Sequence, residues 1–105
     1  MRQWLVNPKL LCRKHLLGEH VECHMFVGTI LKSKSLNGYF QNGLLEVHSL
    51  KKRHLQLAQE MIVRGYKHKS KLPYFRSWQE GYVSRKDNLI ELSKRCVDCR
   101  RKIRR

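Results

Sequence analysis

Ten consecutive residues, His15-Leu16-Leu17-Gly18-Glu19-His20-Val21-Glu22-Cys23-His24, hold three imidazoles and two carboxylates. Such groups transfer protons or ligate metals. The carboxylates stand out because the whole chain has 23 Lys and Arg against 8 Asp and Glu. On a helix His15, Glu19 and Glu22 fall at i, i+4 and i+7, so they line one stripe. Glu22 is the candidate acid–base group, and its plainer alternative is an ion pair with a nearby arginine. Glu19 reads as a structural partner, and His20 and His24 as supporting groups. His20 and His24 have the i, i+4 spacing of a helical metal pair, but flanking a site or facing phosphate accounts for them without one.

Cys96-Val97-Asp98-Cys99 could supply half of a zinc site, with Cys12, Cys23 or a histidine completing it. Cys12 and Cys23 lack that close spacing. Leu89, Leu92, Cys96, Cys99 and Ile103 are spaced 3, 4, 3 and 4, which makes the two cysteines part of the buried stripe of a helix. No metal and no cofactor is expected on this reading, and the thiols stay reduced in a cytosol.

The elements that must position these residues are helices. Asn7-Pro8 is a turn that starts a helix well, and a first helix is predicted over about 9–31, with Leu10, Leu17, Val21 and Gly28 at helical spacing and Leu16, Phe26, Val27 and Ile30 broadening the apolar side. Lys32 to Gly43 reads as a loop, with room for a short turn of extended chain. A second helix is predicted over about 45–64, closed by Gly65 as a C-cap, with Leu50, Leu57 and Met61 sharing a face. Tyr66 to Tyr82 is a long connection of rings and cations, suited either to stacking on exposed bases or to filling the gap between helices. A third helix is predicted over about 84–103, capped by Ser84 with Asp87 three residues on. The expected fold is therefore all-α, one compact domain over 1–105 with three main helices and long loops.

A formal charge of +15 on 105 residues points to a polyanionic partner, most often nucleic acid. Lys51-Lys52-Arg53, the Lys67 to Lys71 run with Lys67 and Lys69, and Lys94-Arg95 are the candidate phosphate contacts. No apolar run approaches the roughly 18 residues of a membrane span. No signal peptide precedes the first helix, so a cytoplasmic, monomeric protein of a bacterial host or phage-infected cell is expected.

Two segments resemble the pyrimidine-dimer DNA glycosylases and abasic-site lyases of the phage endonuclease V type. The first is Met1-Arg2-x-Trp4 with Asn7-Pro8-Lys9 and then His15 to Glu22 and His24. The second is Arg53-His54, Glu60-Met61 and Arg64-Gly65-Tyr66-x-His68-x-Ser70-x-Leu72. The resemblance implies a helical fold and a reaction in which the chain's own α-amine attacks C1′ of a damaged nucleotide, leaving an imine that β-elimination resolves by cutting the strand. Glu22 occupies the position of the family's glutamate. Counted back without gaps, Met1 stands at the nucleophilic terminus, and Arg2 is too large for ordinary methionine removal. The implied partner is duplex DNA, bent and with an extruded nucleotide. By position Arg2, Lys14 and His15 lie near its phosphates. The family often carries arginine where this chain has Val21 and Met25. A non-catalytic basic DNA-binding protein with the same fold is the alternative, and a zinc-stabilised interaction module is a third.

Overall fold

A computed structural model describes residues 1–68 and 70–105. After an extended N-terminal segment, Asn7 caps a 3-10 turn over Pro8–Leu10 by accepting a hydrogen bond from the Lys9 backbone N–H at 3.0 Å. Helix α1, Arg13–Leu31, follows, then the single-turn α2, Asn37–Gln41. A 3-10 turn over Val47–Ser49 leads into α3, Leu50–Val63. The chain then runs irregularly through its described residues to α4, Arg85–Arg95, and α5, Val97–Ile103. Every regular element among the described residues is helical.

The predicted stops and starts hold where they rest on local chemistry. Gly65 has φ +82, and the N–H groups of Gly65 and Tyr66 donate to the carbonyls of Ile62 and Met61. This is the left-handed C-cap that ends α3. Ser84 caps α4 by accepting the Asp87 N–H at 3.1 Å. Other boundaries move: the second helix begins at Leu50 rather than about 45, behind the separate Val47–Ser49 turn, and the loop before it contains α2. The first helix begins at Arg13 because the Pro8 turn is a separate element. The third is broken at Cys96, which is extended at φ −127, ψ 116 and starts α5 as its N-cap.

The principal pair is α1 against α3, with α4 and α5 packed together and α5 resting on the Pro8–Leu10 turn. Leu16, Cys23, Phe26 and Val27 of α1 meet Leu50, Leu57 and Met61 of α3 in one core, which Trp4, Leu11, Leu45, Val47, Leu92 and Cys99 complete. The buried face of α1 also includes Glu19 and His20, whereas the predicted core residue Val21 is 54% exposed. The apolar side read from the sequence therefore holds for Leu16, Phe26 and Val27 and fails at Val21. Polar residues that find partners inside leave α1 with little contrast between its faces.

Residues 80–85 are pinned to the start of α3. The Val47 N–H donates to the Glu80 carbonyl at 3.0 Å. Gly81, at φ +93, passes so close to Leu45 that a Cβ would sit 2.0 Å from its carbonyl oxygen. Only glycine fits there. In the connection Phe75 is buried while Tyr74 and Tyr82 point outward, so its rings divide between filling and exposure.

Candidate active site

The N-terminal segment is held at its third residue. Gln3 is fully buried; its N–H donates to Leu44 O at 2.8 Å, and its side-chain amide exchanges hydrogen bonds with the backbone of Glu46 at 2.6 and 3.2 Å. From α4, Asn88 Nδ2 donates to the carbonyls of Gln3 and Trp4 at 3.1 and 2.8 Å. Asn88 Oδ1 accepts from Arg2 Nη2 at 2.6 Å. The Arg2 guanidinium lies 4.0 Å above the Trp4 ring, and that cation–π contact accompanies a buried, otherwise unpartnered Nε. Leu5, at φ +54, bends the segment away. That left-handed turn costs about 1–2 kcal/mol and is secured by Arg53 Nη1 donating to Val6 O at 2.6 Å.

So held, the terminus lies on the same side of the fold as Glu22, near enough for its charge to act on that carboxyl. Met1 is half-buried against the core, and Glu22 is half-buried on α1. Burial raises the Glu22 carboxyl above its ordinary pKa; the Arg2 backbone N–H and the terminal ammonium oppose that, while Glu19 adds to it. The carboxyl is thus partly desolvated and within the electrostatic influence of the chain's α-ammonium. An open groove of about 460 Å³ runs past Arg2, Asn42, Tyr82, Asp87 and Asn88. Glu22 is not among its lining residues.

Glu19 is part of the interior. It takes a two-pronged ion pair from Arg53 of α3, Nε to Oε2 at 2.6 Å and Nη2 to Oε1 at 2.8 Å, with both side chains at most 2% exposed. The sequence grouped Arg53 with Lys51 and Lys52 as phosphate contacts. The buried pair corrects this: the guanidinium is committed to Glu19 and Val6 and cannot reach DNA. Glu19 likewise leaves the predicted exposed stripe.

The histidines also turn inward. His20 Nε2 lies 2.8 Å from His68 Nε2, and His24 Nε2 lies 3.1 Å from His54 Nε2, with the His20 and His54 rings 4.7 Å apart. Burial, then the neighbouring imidazoles, lower His20 and His54 to about 4. His20 and His54 are therefore neutral at pH 7, in a cluster that joins α1, α3 and the chain after α3. His15 directs Nδ1 to the sulfurs of Cys12 and Cys99 at 3.2 and 3.6 Å and its ring edge to Trp4. That nitrogen is therefore unavailable to phosphate. Cys96 joins the same group, so the predicted continuous stripe of core cysteines gives way to a convergent set of donors, Cys12, His15, Cys96 and Cys99.

Of the other candidate phosphate contacts, Lys14, Lys51, Lys52, Lys67 and Lys94 are exposed. Arg95 is exposed but bonded to Glu91 at 2.8 Å and placed 5.5 Å over the Trp4 ring. Lys69 lies outside the described residues. Gln3, Glu46 and Asn88 were not singled out in the sequence, since each acts through partners more than 30 residues away. No helix among the described residues is long and apolar enough to cross a membrane.

The family model for pyrimidine dimer DNA glycosylases matches residues 1–74. No curated protein and no solved structure matches the chain.

Proposed function

The chain belongs to the pyrimidine dimer DNA glycosylase family, and from that premise we propose that it is a DNA glycosylase and abasic-site lyase whose own α-amine is the nucleophile. The observation that carries the reading is that Met1 and Glu22 both lie within the matched residues 1–74, with Glu22 half-buried on α1 where the charge of the terminal ammonium acts on its carboxyl. An α-amine is a weaker base than a lysine, so at neutral pH it keeps a usable neutral fraction. Its lone pair attacks C1′ of the damaged nucleotide, the glycosidic bond breaks, and the base departs with the bonding electrons. Opening of the sugar ring, with loss of an amine proton, gives the imine at C1′. Removal of a C2′ proton then expels the 3′ phosphate and cuts the strand. Glu22 stabilises the cationic sugar and iminium as an anion and relays these protons as a base.

The substrate on this reading is a pyrimidine dimer or an abasic site in duplex DNA. The duplex is bent and the nucleotide extruded, because C1′ is otherwise screened within the helix. Exposed Lys14, Lys51, Lys52, Lys67 and Lys94 contribute to phosphate binding.

Borohydride reduction in the presence of abasic-site duplex tests the reading directly. The expected product is a covalent adduct that peptide mapping assigns to the α-amine of Met1. Binding without an adduct would instead identify a non-catalytic DNA-binding member of the family.

A further inference from the structure

The geometry points to a structural zinc site formed by Cys12, His15, Cys96 and Cys99. One donor atom from each lies within 4.8 Å of all the others. Zn–S bonds of about 2.3 Å and Zn–N bonds of about 2.0–2.1 Å in a tetrahedron require edges of roughly 3.8 Å between sulfurs and roughly 3.5 Å between sulfur and nitrogen. Cys12 Sγ to Cys96 Sγ is 3.8 Å, Cys12 Sγ to His15 Nδ1 is 3.2 Å, and Cys99 Sγ to His15 Nδ1 is 3.6 Å. Three of the six edges thus lie within about 0.3 Å of those values, and the other three are no longer than 4.8 Å.

The backbone builds this arrangement twice. Cys12 is the N-cap of α1 and His15 stands three residues on; Cys96 is the N-cap of α5 and Cys99 stands three residues on. Each pair presents two donors from one tight turn, and the two turns face each other. Two backbone N–H groups point at the sulfurs, Cys12 N to Cys99 Sγ at 3.2 Å and Cys99 N to Cys96 Sγ at 3.4 Å. Such donors stabilise thiolate charge. All the cysteines are free thiols, and a sulfur separation of 3.8 Å is far beyond the roughly 2.05 Å of a disulfide. Core packing alone gives no reason for the helix to break at Cys96, or for Cys96 to stay half-buried while its sulfur turns toward Cys12 and His15.

Four protein donors close the coordination sphere, so the ion stabilises structure and leaves no position for substrate. Its binding releases the thiol protons to solvent. Cys96 and Cys99 lie beyond the residues the family model matches, so the ion fastens the C-terminal helix pair to the start of the helix that carries Glu22. Trp4, edge-on to His15 and beneath Arg2, extends that support to the N-terminal segment. The inference does not depend on the glycosylase reading.

The test is metal analysis of the full-length chain, with cobalt(II) substitution and melting measured before and after chelation. Stoichiometric zinc is expected, with the intense visible absorption of tetrahedral, thiolate-bound cobalt and a lower Tm after chelation. Cys96→Ser should lose the ion, while Cys23→Ser, which removes a buried thiol outside the cluster, should keep it. His15→Cys, which supplies a fourth thiolate, should also retain it and separates loss of the ligand set from loss of the fold. A folded chain that purifies metal-free and takes up neither zinc nor cobalt(II) stoichiometrically would overturn the site. So would a Cys96→Ser variant with full zinc content and an unchanged cobalt spectrum.

Discussion

At the scale of single residues, two glutamates three positions apart on one helix have opposite fates. Glu19 is buried and paired with Arg53, and Glu22 sits half-buried beside the terminus. The pair contributes through what its loss would leave behind. Arg53→Met strands a buried carboxylate and is expected to cost about 3–5 kcal/mol, measured by urea unfolding. Converting Glu19 to Leu in the same chain should recover much of it, and failure to recover would count against the pairing as the cause. Glu22→Gln keeps shape but removes the base. Strand cleavage at an abasic site should fall at least about 100-fold, with DNA affinity within a few-fold of the parent in a binding titration. Unchanged cleavage would remove Glu22 from the chemistry.

Between elements, polar networks do the positioning. Asn88 reaches from α4 to Arg2, Gln3 and Trp4, so Asn88→Ala should lower stability by about 1–3 kcal/mol. It should also slow borohydride trapping while binding persists, since the amine loses its alignment rather than its basicity. The histidines joining α1 to α3 give a pH signature. His20 and His54 are held near 4 in the fold and near 6.5 once unfolded, so between those values the unfolded chain binds more protons. Their contribution is present in full above pH 6.5 and is lost as pH falls toward 4. Glu46 adds a second, lower window. Burial opposes its charge, but hydrogen bonds from Arg85, Ser49 and the Val83 N–H outweigh that and bring it to about 2. Its contribution is lost as pH falls from about 4.5 toward 2. Melting temperatures from pH 7 to 3 should already fall between pH 6.5 and 4.5, where only the histidine loss operates, and a flat profile above pH 4.5 would contradict the histidine assignment.

For the molecule as a whole, charge governs partner and conditions. With +15 on 105 residues, affinity for duplex DNA should fall steeply with salt, the logarithmic slope reporting roughly 0.9 per neutralised phosphate. Lys51→Ala with Lys52→Ala should flatten that slope by about one to two units if both side chains touch phosphate. Arg53 adds nothing to this term, because its charge is already spent on Glu19.

Much of this organisation was legible in the residues alone. The helical class follows from spacing, the end of α3 from Gly65, the start of α4 from Ser84, and the polyanionic partner from composition. Each depends on interactions within a few positions or on no contact at all. The two segments Met1 to His24 and Arg53 to Leu72, taken together and in order, also sufficed to identify the family. What the sequence could not reveal is which polar residues become interior: Glu19 finds Arg53 across 34 positions, His20 finds His68 across 48, and His15 finds Cys99 across 84. Cys12-x-x-His15 repeats the spacing of Cys96-x-x-Cys99, and that matched pair was the one readable hint of the metal site. A side chain that helical phase alone marks as surface becomes core when a distant partner satisfies it, and only the tertiary packing supplies that partner.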